Sequence, residues 1–347
     1  MSCMCKFVPD EVLARLANDP NIKEFDRAAL QRTLAVDAEM RRLREVNASL
    51  TISSSMIADL RDLAELAKKK KPAIKLFDCK HGNILPGTAV ASPQSSSDST
   101  VKRTFKNTTD VAKFYQKEFG RNSLDGQGMD LISSVHYGVK YNNAFWNGQQ
   151  MTYGDGDGAI FVDFTLGNDV VGHELTHGLT QFTLQLVYSN EPGGLNESMS
   201  DVFGSMFRQW EANQTVQQAD WLIGADIMGP KAKAQGFTCL RDMANPGSTK
   251  ALSPQPSNYS GYHPGMDPHQ SSGIPNNAFY RAATAIGGKS WQKAGKIWFQ
   301  SLTGYGPMPN MTMKQFADRT RTVATQLFGA TSAELKAVDK AWKAVGL

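Results

Sequence analysis

The sequence is short of the features that mark membrane-spanning, disulfide-rich and nucleic-acid-binding proteins. No run approaches the roughly eighteen consecutive apolar residues of a transmembrane helix, so we expect no membrane partner. The four cysteines Cys3, Cys5, Cys79 and Cys239 form neither a disulfide framework nor a C-x-x-C pair. A net charge of +4 over 347 residues is small, so no nucleic-acid partner is expected. Function must therefore be inferred from local motifs.

The first residues also lack the apolar segment of a secretory signal. Met1 to Lys6 read M-S-C-M-C-K, which is neither apolar nor long enough for that role. We expect synthesis in the cytoplasm, with leaderless export left open. The hydrophobic content of 41% is that of an ordinary globular protein, and the length allows two sizeable domains and an appendage. We expect a monomer.

Composition and periodicity divide the chain into three parts. Residues 1–71 are highly charged and predict helices at Asp26–Val46 and Ser55–Lys70, before Pro72 breaks the pattern. Residues 72–187 are rich in turns and predict short strands at Thr88–Val90 and Ala159–Val162.

Residues 188–347 predict helices throughout. A β-rich part followed by a helical part is typical of an α+β protein. A further helix is expected at the junction, over about 169–185, where ligand sites are common. The helices predicted after it are Glu197–Ala212, Asn276–Ile286, Lys289–Thr303, Met313–Leu327 and Ser332–Val345.

The junction helix carries the motif H-E-x-x-H. His173 and His177 stand one turn apart on the same face, so both imidazoles can reach one metal ion, and Glu174 can act on water beside them. The alternative is a buried helix with two hydrogen-bonded histidines. A carboxylate such as Glu174 is rarely buried without a partner, which favours a bound cation.

A second acidic motif supplies the missing ligand. Catalytic zinc needs a third protein ligand and an open fourth position, and Glu197 is the candidate. Asp201 lies four residues later on the same helix face and can accept the second ring N–H of a metal-bound histidine, with His173 the expected donor. The alternative is a solvated acidic face, but the complementary roles of these residues favour the metal site.

H-E-x-x-H followed by N-E-x-x-S-D resembles the thermolysin family of neutral zinc endopeptidases. The similarity extends over roughly residues 75–347 and includes Tyr141–Gly148 and Gly154–Gly158, which resemble the family's substrate-binding edge strand and the turn after it. Cys5–Pro9 resembles the short propeptide of the protealysin branch. A metzincin would carry a third histidine where Thr183 stands.

The resemblance implies a fold, a cofactor and a mechanism. The expected fold is α+β with two lobes: a propeptide at 1–71, mostly helical; a β-rich catalytic lobe at 72–187 that includes the zinc helix; and a helical lobe at 188–347. It also implies one catalytic Zn2+, with Glu174 as general base and with Tyr188 and His269 as donors to the oxyanion. The propeptide is expected to fold in cis on the catalytic part and to be removed by self-cleavage.

The resemblance further implies how protein and peptide substrates bind. Asn143 and the Ala144 backbone match groups that hold an extended peptide, and Arg241 matches the arginine that binds a substrate carbonyl. Six apolar residues match the pocket beyond the scissile bond, which implies a preference for a bulky hydrophobic residue there. They are Phe161, Phe164, Val170, Ile223, Ile227 and Leu240.

Two departures from the family pattern affect the site. Pro264 replaces a carboxylate that orients the second oxyanion histidine, which leaves Asp267 or His263 to do so. The family's paired calcium site is degraded, so calcium binding is doubtful. Asp169 and Asp220 match two of its ligands, but other ligand positions hold Arg208, Leu222 and Ala225.

Three alternatives remain beside a zinc endopeptidase made as a zymogen. The first is a binding protein on the same fold that is inert or blocked by its N-terminal segment. The second is an aminopeptidase, although no G-x-M-E-N-type stretch is present. The third concerns regulation: Cys3 or Cys5 could bind zinc as a cysteine switch, but the resemblance places Phe7–Pro9 in the cleft region instead.

Overall fold

A computed structural model describes residues 5–48 and 71–347 of the chain. The chain forms two compact units, Met1–Leu166 and Gly167–Leu347. The helix predicted at Ser55–Lys70 lies outside the described residues, and so does Cys3. No helix among the described residues is long and apolar enough to cross a bilayer.

The first unit is built on a six-stranded mixed sheet. The strand order is β1-β5-β6-β4-β2-β3, in which β6, β4 and β2 are parallel neighbours and the other pairs are antiparallel. The strands are β1 (Cys5–Lys6), β2 (Ile74–Asp78), β3 (Thr88–Ala89), β4 (Leu131–Val135), β5 (Ala144–Trp146) and β6 (Met151–Tyr153), and the helices described in this unit are α1 (Asp10–Ala17), α2 (Glu24–Ala48) and α3 (Ser99–Phe119).

Helix α3 begins and ends at residues suited to those positions. The Asp98 carboxylate accepts the N–H groups of Thr100 and Val101 at 2.8 and 3.2 Å, which caps the first turn. Gly120 ends the helix with a φ of 67°, a left-handed conformation that glycine adopts without strain. The helix packs on the sheet, where the hydroxyls of Thr108 and Ser133 lie 3.2 Å apart.

The strand predicted at Ala159–Val162 is wrong. Asp157 Oδ1 accepts hydrogen bonds from the N–H groups of Ala159, Ile160 and Phe161, at 2.7, 2.8 and 3.3 Å. A side chain that binds three successive N–H groups holds them in a loop and removes them from any strand ladder. The weaker pattern at Thr88–Val90 does form a strand, β3.

The N-terminal segment is integrated into the first unit. Strand β1 pairs with the edge of β5, with Cys5 opposite Trp146 and Lys6 opposite Phe145. Val36 and Met40 of α2 pack against a buried cluster that includes Tyr137, Tyr141 and Phe145. The segment therefore contributes both a strand and part of the core of this unit.

The second unit is helical, as predicted. Helix α5 begins at Asn190 rather than Glu197, because Pro192 is tolerated in a first turn. The elements described in this unit are α4 (Asn168–Gln181), α5 (Asn190–Glu211), β7 (Leu222–Ile223), α6 (Pro230–Ala234), β8 (Arg241–Asp242), α7 (Pro268–Ser271), α8 (Gly273–Ile286), α9 (Lys293–Thr303), α10 (Met313–Phe328) and α11 (Ala333–Ala344).

Helices α4 and α5 cross with their backbones in contact. A Cβ at Gly204 of α5 would lie 2.5 Å from the Asp169 carbonyl oxygen and 3.0 Å from the His173 nitrogen. A Cβ at Gly172 of α4 would lie 3.0 Å from the Gly204 Cα atom. Only glycine allows this approach, which sets the distance between the side chains that the two helices contribute to the site.

Candidate active site

Three predicted metal ligands converge between α4 and α5. His173 Nε2 and His177 Nε2 lie 3.0 Å apart. Glu197 Oε2 lies 3.4 Å from the first of these nitrogens, and Glu197 Oε1 lies 3.5 Å from the second. All three side chains are buried, so their polar atoms face one another away from bulk solvent.

The outer ring nitrogens show which imidazole atoms are available to a metal. His173 Nδ1 lies 2.8 Å from Asp201 Oδ1, the contact expected from the spacing. His177 Nδ1 lies 2.9 Å from Asn196 Oδ1 and 3.0 Å from Ser200 Oγ. Carboxylate and amide oxygens only accept hydrogen bonds, so both Nδ1 atoms carry protons and the Nε2 lone pairs are directed at each other.

Two of these partners, Asn196 and Ser200, were not assigned a role from the sequence. Both belong to the motif that carries Glu197, one residue before it and three after it. Asn196 is oriented by its own amide, which donates to the Leu186 carbonyl at 3.3 Å. The signal that could have identified them is the helical spacing, which places residues three and four apart on one face.

The charges around the ligands favour a cation at their centre. Burial lowers the pKa of His177 to about 3, so this ring stays neutral. Burial acts to lower the pKa of His173 too, but hydrogen bonds to Asp201 and Glu197 outweigh it and raise that pKa to about 9. Burial acts against ionised Glu197, yet the neighbouring histidines, His269 foremost, hold its pKa well below the usual range. Because the two Nε2 atoms lie only 3.0 Å apart, a proton or a metal ion between them would remove the repulsion of their lone pairs.

The spacing of the ligand atoms suits zinc. Zn–N and Zn–O bonds of about 2.0–2.2 Å in a tetrahedron place ligand atoms roughly 3.3–3.5 Å apart. The separations here run from 3.0 to 3.5 Å. Two imidazoles and one carboxylate leave a fourth position open, as a catalytic site requires.

Tyr188 and His269 lie beside the same carboxylate. The Tyr188 hydroxyl donates to Glu197 Oε1 and lies 3.2 Å from His269 Nε2. His269 Nε2 is 3.6 Å from Glu197 Oε2. The two predicted oxyanion donors are thus brought together next to the candidate metal position.

Asp267 orients His269, one of the two alternatives left open by the sequence. Its Oδ1 atom lies 2.8 Å from His269 Nδ1 and also accepts the His269 backbone N–H at 2.9 Å. His263 is exposed, and its Nδ1 atom lies 3.2 Å from the Pro264 carbonyl. Asp267 can orient the His269 ring because it caps α7, and the cap fixes its carboxylate beside the ring two residues later.

Arg241 forms a buried ion pair with Asp201. Its Nε and Nη2 atoms donate to Asp201 Oδ2 and Oδ1 at 2.8 and 2.7 Å, and Asn276 adds a third bond at 2.8 Å. Burial acts to raise the pKa of Asp201, but Arg241 outweighs it and lowers the pKa to about 2. Asp201 therefore stays ionised while it holds His173. Glu174 is fully buried on the same helix as that histidine.

The six apolar residues matched to the substrate pocket are all buried. In the first unit, the rings of Phe161 and Phe164 pack with centroids 5.6 Å apart. In the second unit, the Leu240 N–H donates to the Ile223 carbonyl at 2.9 Å, and Val170 and Ile227 both approach Gly167.

The groups matched to substrate binding are engaged by the N-terminal segment. Asn143 Oδ1 accepts the Val8 N–H at 2.9 Å, and Asn143 Nδ2 donates to the Val8 carbonyl at 3.1 Å. The Phe7 N–H donates to the Ala144 carbonyl at 3.0 Å. Phe7 and Val8, which follow strand β1 directly, thus bond the main-chain and side-chain groups that the sequence matched to peptide binding.

Asp37 of α2 binds the side chains that hold the N-terminal segment on strand β5. It is fully buried, and its carboxylate accepts hydrogen bonds from the Tyr141 hydroxyl and, at 3.1 Å, from Asn143 Nδ2. Lys6 Nζ lies 3.4 Å from Asp37 Oδ2. Sequence reasoning missed Asp37, because one aspartate in a charged helix carries no distinguishing pattern.

Arg208 occupies the centre of the region matched to the calcium site. Its Nη2 atom lies 3.2 Å from Asp220 Oδ2 and 3.4 Å from Asp226 Oδ2, and Nη1 donates to the Leu222 carbonyl at 3.3 Å. Asp169 accepts the Gly224 N–H at 2.6 Å. A guanidinium therefore neutralises the acidic groups that remain.

Two family models match the chain. Residues 50–181 match one described as the thermolysin metallopeptidase catalytic domain. Residues 184–347 match one described as the thermolysin metallopeptidase alpha-helical domain.

Individual proteins are similar over most of the chain. An extracellular metalloprotease of Pectobacterium carotovorum subsp. carotovorum is 43% identical over 78% of this chain and 80% of its own length. Bacillolysin of Bacillus subtilis is 39% identical over 82% of this chain and 52% of its own length. Among solved structures, the precursor of protealysin, a metalloproteinase from Serratia proteamaculans, aligns with a TM-score of 0.83 at 35% identity, covering 99% of both chains.

Proposed function

Since this chain belongs to the thermolysin family of metallopeptidases, we propose that it is a zinc endopeptidase made as a self-processing zymogen. The predicted family, fold class and enzyme class are confirmed by the family models and by the protealysin precursor. One observation carries the proposal: His173, His177 and Glu197 present their ligand atoms to one buried point, at 3.0–3.5 Å from one another.

The proposed chemistry is hydrolysis of an internal peptide bond. His173, His177 and Glu197 would hold Zn2+, which when bound lowers the pKa of water and polarises the substrate carbonyl. Glu174 accepts the proton of the attacking water and delivers it to the leaving amine. Tyr188 and His269 donate hydrogen bonds to the oxyanion, with Asp267 holding the second ring.

We extend the proposal to substrate recognition. Asn143 and the Ala144 backbone would bind the peptide main chain, which is the use that Phe7 and Val8 already make of them. Arg241 would bind a substrate carbonyl. The buried apolar set would favour a bulky hydrophobic residue after the cut; it comprises Phe161, Phe164, Val170, Ile223, Ile227 and Leu240.

The N-terminal segment is proposed to act as an inhibitor in cis. Val8 occupies both hydrogen-bonding groups of the Asn143 side chain, which a substrate would need. The boundaries proposed for the parts are 1–71 for the propeptide, 72–187 for the β-rich catalytic lobe and 188–347 for the helical lobe. Extracellular action also belongs to the proposal, because the Pectobacterium relative is named an extracellular protease.

We propose that the protein binds little or no structural calcium. Arg208 already places a positive charge among Asp220, Asp226 and the Leu222 carbonyl, and a second cation there would be repelled. A chelator selective for calcium should leave the melting temperature unchanged. A fall of many degrees would contradict this part of the proposal.

Casein hydrolysis by the purified chain tests the function. Activity should be abolished in Glu174→Ala and by 1,10-phenanthroline, while the variant keeps its zinc content and melting temperature. Intact-mass analysis over hours should show loss of an N-terminal fragment from the parent chain and none from the variant. Equal activity in Glu174→Ala would refute the assigned base.

The competing candidate is a binding protein held shut by its own N-terminal segment. The engaged state of Asn143 and Ala144 favours it over a freely active enzyme. It predicts that the chain does not cut itself. It also predicts that the chain stays inactive after an added protease has removed the N-terminal segment. Activity that appears on removal would exclude it.

A further inference from the structure

A cluster of ligand-type side chains lies at the carboxyl ends of three adjacent parallel strands. β2, β4 and β6 end at Asp78, Val135 and Tyr153. His81, His136 and Asp155 follow these three ends by three, one and two residues. Because neighbouring parallel strands end at the same edge of a sheet, the topology brings the three side chains together.

The side chains face one another at ligand spacing. His136 Nδ1 lies 2.9 and 3.0 Å from the two Asp155 oxygens. His81 Nδ1 lies 3.4 Å from Asp155 Oδ2. One nitrogen from each histidine and one carboxylate oxygen all lie within 4.8 Å of one another. Tetrahedral zinc requires roughly 3.3–3.5 Å between ligand atoms, a spacing that His81 and Asp155 already have and that the closer His136–Asp155 pair approaches.

A second carboxylate orients His136 from its other side. Asp98 Oδ2 lies 3.0 Å from His136 Nε2, and Asp98 is fixed because it caps helix α3. A carboxylate on the outer nitrogen is the usual partner of a metal-bound histidine. With Nε2 held by Asp98, Nδ1 is the nitrogen directed toward His81 and Asp155.

The backbone that carries the two histidines is already tied together. The His81 N–H donates to the His136 carbonyl at 2.8 Å, and the Gly138 N–H donates to the Gly82 carbonyl at 3.0 Å. His81 and His136 both adopt left-handed conformations, with φ of 61° and 53°. Such conformations are uncommon for residues other than glycine and often mark functional positions.

We propose that His81, His136 and Asp155 form a second metal site, separate from the candidate active site and specific for Zn2+ and similar transition metals. Two imidazoles and one carboxylate suit these ions, whereas Ca2+ and Mg2+ prefer oxygen ligands alone. The His81 side chain is 57% exposed, so water completes the coordination and the ion exchanges with solvent. The site joins the loops after β2, β4 and β6 and would stabilise the first unit.

The test is metal stoichiometry in the full chain. The Glu174→Gln background prevents self-cleavage and keeps the ligands His173, His177 and Glu197. The protein is dialysed against micromolar free Zn2+, and bound zinc is measured by mass spectrometry. His81→Asn removes one proposed ligand with a residue that accepts the left-handed backbone. His263→Asn, at an exposed histidine away from the cluster, is the matched control.

The expected result is two zinc equivalents in the background protein and in His263→Asn, and one in His81→Asn. Asp155→Asn should lose the same equivalent, which guards against a folding defect peculiar to one variant. The equivalent that remains shows that each variant is folded. A single equivalent in the background protein that His81→Asn retains would mean that the cluster is an ion pair only, and it would overturn the proposal. Two equivalents in His81→Asn would overturn it as well.

Discussion

Replacing Asp37 with asparagine should loosen the N-terminal segment from the edge strand. The carboxylate meets three donors: the Tyr141 hydroxyl, Asn143 Nδ2 and Lys6 Nζ. Asparagine has nearly the same shape but offers one acceptor oxygen and one donor group. In either orientation of the asparagine amide, its NH2 group replaces one of the accepting oxygens and faces a buried donor. One hydrogen bond is therefore lost.

The size of the effect follows from that mismatch. A buried donor left without an acceptor costs about 1–3 kcal/mol. The change also removes the cost of burying a charge, but the lost acceptor remains whether Asp37 is charged or neutral. A penalty of this size raises the population of the undocked segment by roughly 5- to 150-fold.

Hydrogen exchange measures that population directly. The Phe7 and Val8 amides are bonded to the Ala144 carbonyl and the Asn143 side chain, so each exchanges when the segment undocks. In the Glu174→Gln chain, Asp37→Asn should accelerate their exchange by the same roughly 5- to 150-fold.

The matched control for this experiment is Glu24→Gln, at an exposed acid of the same helix. It should leave the exchange unchanged. Equal exchange in the parent and in Asp37→Asn would refute the role given to this carboxylate, and so would an equal acceleration in the control.

Three further predictions concern the titration of Asp37, the helix contact at Gly204 and the support of His177 by Asn196. Burial raises the pKa of Asp37 above its ordinary 3.8, so the docked segment binds this proton more tightly. The protonated carboxyl thus favours docking most in acid, and this contribution is lost as the pH rises from 3.8 through the raised pKa. Hydrogen-exchange protection of Phe7 and Val8, corrected for intrinsic rates, should therefore fall over this pH range. Asp37→Asn should abolish this pH dependence. Gly204→Ala should cost about 1–3 kcal/mol and lower the melting temperature by several degrees, because its methyl group meets the α4 backbone, whereas Gly306→Ala, with open space around it, should not. Asn196→Ala should weaken zinc binding by roughly 10- to 100-fold in a competition assay with a chelator, because His177 loses an orienting acceptor.

The metal ligands could be predicted from the sequence because helical geometry determines most of their arrangement. His173 and His177 need only one regular helix to face the same point, and Glu197 and Asp201 need only a second. The resemblance to thermolysin supplied the pairing of the two helices. The backbone contact at Gly204 and Gly172, which makes that pairing close, carries no signal in a single sequence.

Contacts made by loops and capping residues were harder to predict. Whether Asp267 or His263 orients His269 depended on which of them caps α7. The apolar run at Ala159–Val162 looked like a strand, but Asp157 captures its N–H groups. Both outcomes depend on the direction of one carboxylate, which periodicity does not report.

Asp37 shows the same limit over a longer distance. Its partners Tyr141 and Asn143 lie about a hundred residues away in the sequence. They become neighbours only when the N-terminal segment joins the sheet of the first unit. A buried polar contact of this kind is set by tertiary structure and not by local pattern.

The position of the zinc ion can be located by crystallography at the zinc absorption edge, on protein supplied with one equivalent of Zn2+. We expect one strong anomalous peak about 2.0–2.2 Å from His173 Nε2, His177 Nε2 and a Glu197 oxygen. The absence of zinc from this position, or a Glu197 carboxylate turned away from the two rings, would contradict the assignment.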